Sequence, residues 1–131
     1  MLARLALLLP ALALGYCGQD ETATAYGAAG QVWQAQSIDG AAFAAGAELR
    51  FPEPGQIAGQ GPCNSFTARL DAPYPWFEIA DLVATRAACP ELEAEGVFLA
   101  ALLAMEQIEV SGAVLILRNE AGHEMLFRAA D

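Results

Sequence analysis

The chain contains no lysine. Its six basic residues are all arginine and stand against sixteen acids, for a formal net charge of −10. That balance works against nucleic-acid binding, which needs clustered Lys and Arg to displace counterions from phosphates. It also works against charge-driven docking on an anionic membrane. Solvation of the surface is the plain reading of so many acids; capture of a cationic partner is the sharper one. There is a single histidine, His123, at a turn beside Gly122. Ser37, Ser65 and Ser111 therefore have one imidazole among them to act as an activating base, and only geometry would make a catalytic triad of it. Cysteine is confined to Cys17, Cys63 and Cys89. Two cysteines and a distant histidine fall short of a four-ligand zinc site, and Cys63 and Cys89 are too far apart for a CxxC redox pair. Gly59-Gln60-Gly61-Pro62 is not a phosphate loop, because it lacks both a lysine and a following helix; it reads as a backbone bend. No metal and no cofactor is expected.

Apolar runs long enough to cross a bilayer are missing as well. The longest, Leu5–Leu14, follows Arg4 and has the length and flanks of a secretory signal. Two processing sites fit. Leu14-Gly15-Tyr16-Cys17 resembles a lipobox, with Tyr16 where a small residue is usual. Ala11-Leu12-Ala13 offers an ordinary A-x-A cut. Three cysteines in an exported protein leave one over after one disulfide, which favours lipidation of Cys17, where each buried CH₂ of an acyl chain adds about 0.8 kcal/mol of membrane affinity. The expected organisation is residues 1–16 as a signal of lipoprotein type, 17–30 as a flexible polar tether, and 31–131 as one domain.

From Gln31 onward short alternating segments are separated by turn chemistry. Gln31–Ile38 reads as a strand ended by Asp39-Gly40. Ala47–Phe51 alternates with Leu49 and Phe51 inward and is stopped by Pro52-Glu53-Pro54-Gly55. Gln56–Gly59 begins a return strand. Cys63–Leu70 continues in extended form, with Phe66 and Leu70 facing the core. After the turn Asp71–Pro75, Trp76–Leu82 reads as a strand that Val83–Arg86 prolongs. Pro90 suits a first helical position, and Glu91, Glu93 and Glu95 suit the positive end of the dipole. Leu92, Gly96, Leu99 and Leu103 trace one apolar stripe, along which Gly96 would allow close approach to the sheet. Gln107–Val110 and Ala113–Arg118 form a hairpin about Ser111-Gly112, and Glu124–Ala129 returns with Met125 and Phe127 on one face. Roughly six to eight short strands with a single helix give a mainly β (α+β) fold, a small antiparallel barrel-like sheet with the helix packed on it.

A set of these residues forms a recognisable frame: Trp33, then Leu49 and Phe51, then Gly59 and Cys63-Asn64-Ser65-Phe66, then Thr85-Arg86-Ala87-Ala88-Cys89, an acidic helix start, and a closing hairpin with Leu115 and Leu117. The frame resembles the META/HslJ family of exported bacterial proteins across roughly residues 30–129. The specific part is Cys-Asn-x-Phe paired with Thr-Arg-x-x-Cys ahead of a helix; Pro62 stands where the family often has a small residue. The resemblance implies a β-rich barrel-like domain with one helix and an envelope location, often as a lipoprotein. It also implies an association with heat shock, stress and resistance to an antibiotic such as novobiocin. It brings no established enzymatic activity.

Each candidate residue carries two readings. Cys63 and Cys89 read first as a structural disulfide of an oxidising compartment, worth about 3–4 kcal/mol by the loop-entropy argument, and otherwise as free thiols or a redox or metal pair. Asn64, Phe66, Thr85 and Arg86 read either as turn and strand structure, with Arg86 paired to an acid, or as a polar patch that meets a ligand. Trp33, Tyr74, Trp76 and Phe77 read as core or as the lining of a pocket in the barrel mouth. His123 reads as a solvated loop residue. The function expected is non-enzymatic: an exported, monomeric periplasmic protein, anchored to the outer membrane through Cys17 and acting in stress or antibiotic tolerance by binding an envelope component. A small-ligand carrier using the barrel interior, or an acidic inhibitor of a cationic envelope-attacking enzyme, are the alternatives.

Overall fold

The computed structural model describes residues 20–131. Cys17 and the apolar N-terminal run lie outside the described residues. Nine strands and one helix follow in order: β1 (Trp33–Ile38), β2 (Ala41–Ala42), β3 (Glu48–Arg50), β4 (Gln56–Gln60), β5 (Ser65–Leu70), β6 (Ile79–Ala84), α1 (Leu92–Ala104), β7 (Gln107–Ser111), β8 (Val114–Arg118) and β9 (Glu124–Ala129). They form one curled antiparallel sheet in the order β6-β5-β4-β3-β1-β9-β8-β7, with β2 attached to β1. This is the mainly β, half-barrel architecture with one helix that the strand spacing predicts.

The period-two alternation sets which side chains go inside. Along β5, Phe66, Ala68 and Leu70 are buried; β8 contributes Leu115 and Leu117, and β9 contributes Met125 and Phe127. Asp39 and Gly40 both take positive φ, 50° and 79°, the pair of conformations that a tight two-residue hairpin demands. Two boundaries differ from the sequence expectation. β4 runs on through Gln60, so Gly59 and Gln60 belong to a strand and only Gly61-Pro62 bends. Trp76–Glu78 does not belong to β6. It crosses to the opposite edge of the sheet, where Phe77 N–H donates to Glu106 O (2.8 Å) and Ile108 N–H donates to Pro75 O (2.8 Å). Trp76 thus lies opposite Gln107. This short crossing links the two edges of the half-barrel.

The helix presents a different face from the predicted stripe. Glu95, Phe98 and Leu102 are buried, while Leu92 and Leu103 are 47% and 52% exposed and Gly96 approaches nothing. Leu92–Ala104 is apolar almost all round, so periodicity does not select a face. Phe98 does: its ring sits 5.7, 6.1 and 6.3 Å from those of Phe43, Phe66 and Phe127, an aromatic cluster at the centre of the core. The helix also starts at Leu92, after Pro90 and with Glu91 at the cap.

The end of the segment read as a tether is packed onto the domain. Ala23–Tyr26 form a 3₁₀ turn, Ala23 and Ala28 are fully buried, and the Ala28 carbonyl accepts the Trp33 indole N–H (2.9 Å). Tyr26 stacks on Tyr74 at 4.4 Å, and Tyr74 N–H donates to Glu21 O (2.6 Å). The domain therefore begins well before Gln31.

Two glycines distinguish crowding from conformational entropy. A Cβ at Gly59 would overlap the Phe66 ring and the Glu48 carbonyl, whereas one at Gly96 meets nothing within 4 Å. Gly59→Ala should lower unfolding stability by about 3 kcal/mol through overpacking. Gly96→Ala should raise it by about 0.5–1 kcal/mol, because a mid-helix glycine loses the most backbone freedom on folding. Urea melts of the two variants, read against the parent, check both signs.

Candidate functional site

The sequence motif residues converge where the loop after β4, the loop after β6 and the first turn of α1 meet. At the centre is Glu95, 4% exposed. Its Oε1 accepts the backbone N–H groups of Cys63 (3.1 Å) and Asn64 (2.6 Å), and its Oε2 accepts Asn64 Nδ2–H (2.6 Å). Asn64, also 4% exposed, spends the rest of its amide on the other loop. Its Oδ1 accepts the Thr85 hydroxyl (2.9 Å) and Ala87 N–H (2.6 Å), and Nδ2 also donates to Ala87 O (3.1 Å). Cys63 and Cys89 form the disulfide across the same junction, with Cα atoms 5.8 Å apart. Gly61 makes room for the carboxylate: a Cβ there would lie 2.5 Å from Glu95 Oε1.

The electrostatics follow from this geometry. Burial alone would push the Glu95 carboxyl up, but the Asn64 side-chain amide and the Asn64 and Cys63 backbone N–H groups together outweigh it and hold the group below its ordinary value. Every buried side-chain N or O among the described residues has a partner. The buried polar groups of the junction are therefore spent on one another. The junction is a clamp.

The structure separates the remaining candidates. Phe66 is core, beneath Gly59. Thr85 and Arg86 reach the surface, and Arg86 makes no ion pair among the described residues, so the expected cross-strand pairing is not formed. Asn64, Phe66, Thr85 and Arg86 do not present one exposed patch. Trp33 and Phe77 are buried, and Tyr74 is half-buried, its Oη accepting Val110 N–H (3.2 Å). His123 is at the surface, its Nδ1 2.9 Å from Asp39 Oδ2, while Asp39 Oδ1 accepts Glu124 N–H (2.9 Å). These contacts hold the Asp39 carboxyl below its usual range, chiefly through the Glu124 N–H, and clasp the β1–β2 turn to the β8–β9 turn.

Glu95 is the residue the sequence reading misses. Its local sequence groups it with Glu91 and Glu93 as a partner of the helix dipole, but it lies on the buried face. The signal for it is its spacing: Glu95, Phe98 and Leu102 fall at i, i+3 and i+7, one face of a helix.

Trp76 stands apart from the other aromatics. It is 54% exposed and lines a surface groove of about 510 Å³ between residues 71–79 and the α1–β7 junction. On its other side it borders a second groove of about 310 Å³, with Tyr74 and Arg118. Leu103, Glu78, Glu106 and Glu120 share the larger groove with Trp76.

A family model described as META domain matches residues 27–131. Two solved structures are similar. One, an NMR structure of a protein from Burkholderia xenovorans, has a TM-score of 0.64 at 17% identity, over 87% of this chain and 92% of that one. The other, also an NMR structure, has a TM-score of 0.61 at 20% identity, over 77% of this chain and 90% of that one. At these identities the likeness is one of fold. A search of curated proteins finds no match.

The clamp makes a signed prediction. With its folded pKa lowered, Glu95 contributes stability that is fully present above its ordinary value of 4.5 and is lost as pH falls through the folded value. Glu95→Gln should cost about 2–3 kcal/mol at pH 7, because hydrogen bonds to a buried charge are lost. It should also flatten the fall in stability between neutral pH and pH 3. Asn64→Ala should cost about 3 kcal/mol, since it strands the carboxylate and Ala87 N–H together. Denaturant melts at a series of pH values measure both the cost and the slope.

Proposed function

The chain belongs to the META domain family, and from that premise we propose that it is a META/HslJ-like protein of the bacterial cell envelope that works without catalysis, binding an envelope component at its surface in stress or antibiotic tolerance. The observation that carries the mode of action is the filled interior. Trp33, Leu49, Phe51, Phe98, Leu115 and Phe127 occupy the barrel at 0–2% exposure. That leaves a carrier no chamber among the described residues and turns binding outward. Asn64 and Thr85 of the family motif are spent in the clamp, which supports a role for them in rigidity. The Cys63–Cys89 bridge supports export, because such bridges persist in oxidising compartments. With the clamp and the bridge fixing the loops, a partner meets a preformed surface, which lowers the ordering cost of binding. Trp76 is the exposed aromatic best placed to serve as its anchor.

Site-specific photo-crosslinking in a bacterial host tests the reading. A benzophenone residue in place of Trp76 should give a discrete crosslinked species in the envelope fraction, and the same residue at Ser111 should not. No species at any surface position would overturn the reading. Intact mass of the envelope-purified protein tests the location. Acyl chains on an N-terminal Cys17, with Cys63 and Cys89 alkylated only after reduction, are the expected outcome; an unprocessed cytosolic chain would refute export.

A further inference from the structure

We propose that the Trp76 groove is a docking site for an extended basic segment of a partner protein, with an arginine or lysine of that segment lying against the Trp76 indole and its charge held among Glu78, Glu106 and Glu120. The inference deepens the surface-binding reading and rests on it.

The groove couples an apolar wall to a one-sign charge field. Trp76 and Leu103 are 54% and 52% exposed on its walls, two large apolar side chains left in water in one groove. Glu78, Glu106 and Glu120 stand along it and enter no ion pair among the described residues, and no basic side chain lines it. Helix α1 ends at the same spot with no basic residue in its last turn, so the negative end of its dipole adds to the carboxylates. The carboxylates come from three separate elements: the crossing after β5, the α1–β7 junction and the β8–β9 turn. No group of three His, Cys, Asp or Glu among the described residues is close enough to hold a metal ion. The charge is spread along a groove instead of focused on a point, which matches a chain carrying several cations and not a single ion. An indole face beside carboxylates is the arrangement that takes an alkylammonium or guanidinium: the ring attracts the cation and the acids neutralise it.

Charge also argues against a second copy of this chain as occupant. A chain with no lysine and a net charge of −10 would bring acid against acid. Nucleic acid is disfavoured on the same ground. A basic protein segment satisfies both the apolar wall and the field.

The test is fluorescence anisotropy of a labelled Arg-Gly repeat peptide with the purified, disulfide-intact protein; a Glu-Gly repeat of equal length is the control peptide. Binding of the Arg-Gly peptide should weaken steeply with salt and change Trp76 emission, Trp33 being fully buried. The triple variant E78Q/E106Q/E120Q should weaken binding about tenfold, and W76A about tenfold. The charge-matched E48Q/E53Q/D131N should weaken it less than about threefold, which separates a site from mere net charge. Circular dichroism confirms that each variant is folded. Equal loss in the two triple variants, unaffected binding by W76A, no binding at all, or a Trp76-dependent dimer in sedimentation would each overturn the proposal. A partner crosslinked at position 76 through a segment without Arg or Lys overturns this inference and leaves the surface-binding reading standing; absence of any crosslinked partner removes the reading itself.

Discussion

A buried carboxylate held by three N–H donors is the constraint on which the rest depends. Glu95 sits at 4% exposure with no cation near it, held by backbone and amide N–H groups alone. Such a group is costly to desolvate and tolerable only when fully hydrogen-bonded. Its donors come from Cys63 and Asn64, and Asn64 in turn holds Thr85 and Ala87. One carboxylate thereby fixes α1 against two loops that are distant in sequence. Breaking any arm leaves a buried charge exposed to an apolar interior. The disulfide spans the same junction covalently, so the helix start is secured twice, once by entropy removed from the unfolded chain and once by this network. The helix in turn carries Phe98 into the aromatic cluster that fills the half-barrel.

The other constraint is the fate of the two sheet edges. An open antiparallel sheet leaves a row of unpaired N–H and C=O groups at each edge. On β7 the crossing residues 75–77 take up that role, and the Tyr74 hydroxyl accepts the next N–H, from Val110. On β6 the device is different. The β5–β6 register shifts, Asp81 takes a positive φ of 53°, and Arg69 pairs with both Asp71 and Asp81. A kinked, charged edge is a poor template for another strand. The β7 solution has a structural consequence. Routing the chain across the opening buries Phe77 inward and leaves its neighbour Trp76 outward, because successive residues of an extended segment face opposite ways. Exposure of the indole is thus a by-product of closing the barrel.

What the sequence disclosed depended on whether local pattern and tertiary environment agreed. Phe66 and Leu70 alternate with polar residues, and the structure buries both; Leu115, Leu117, Met125 and Phe127 stand in more continuously apolar strands and are buried on the same period of two. Asp39-Gly40 announced its turn through backbone chemistry that few other pairs allow. The helix face was not legible, because Leu92–Ala104 is apolar in nearly every direction and the selection was made by one aromatic ring finding three others. Local pattern puts Trp76 in a strand; its actual place is set by the hydrogen bonds of its neighbours Phe77 and Pro75 to Glu106 and Ile108, far away in sequence. Glu95 was hidden by a sufficient local explanation, the helix dipole, which still serves Glu93 but does not account for a carboxylate turned inward. The Asn of the Cys-Asn-x-Phe motif was visible as a turn residue, yet its partners lie 23 and 31 positions away.

The allocation of the few cations explains where the negative field is left. Arg69 is committed to Asp71 and Asp81, and Arg118 to Glu109 and Glu124. Such exposed pairs contribute little stability each, but they decide which acids are neutralised. Arg69 of β5 serves an acid just beyond its strand and one on β6, and Arg118 of β8 serves acids on the flanking strands β7 and β9. Arg118 lies opposite Gln107 at the start of β7, but its guanidinium is spent on Glu109 and Glu124 and borders the smaller groove; no basic side chain lines the larger one, and the chain has no lysine to send there. Glu78, Glu106 and Glu120, with no ion pair of their own among the described residues, therefore add to the carbonyl end of α1, beside the indole that the crossing turns outward. Two unrelated necessities, closing a sheet edge and pinning a bulge, thus converge on one feature: an exposed aromatic ring in an acidic groove on a scaffold whose loops are already fixed.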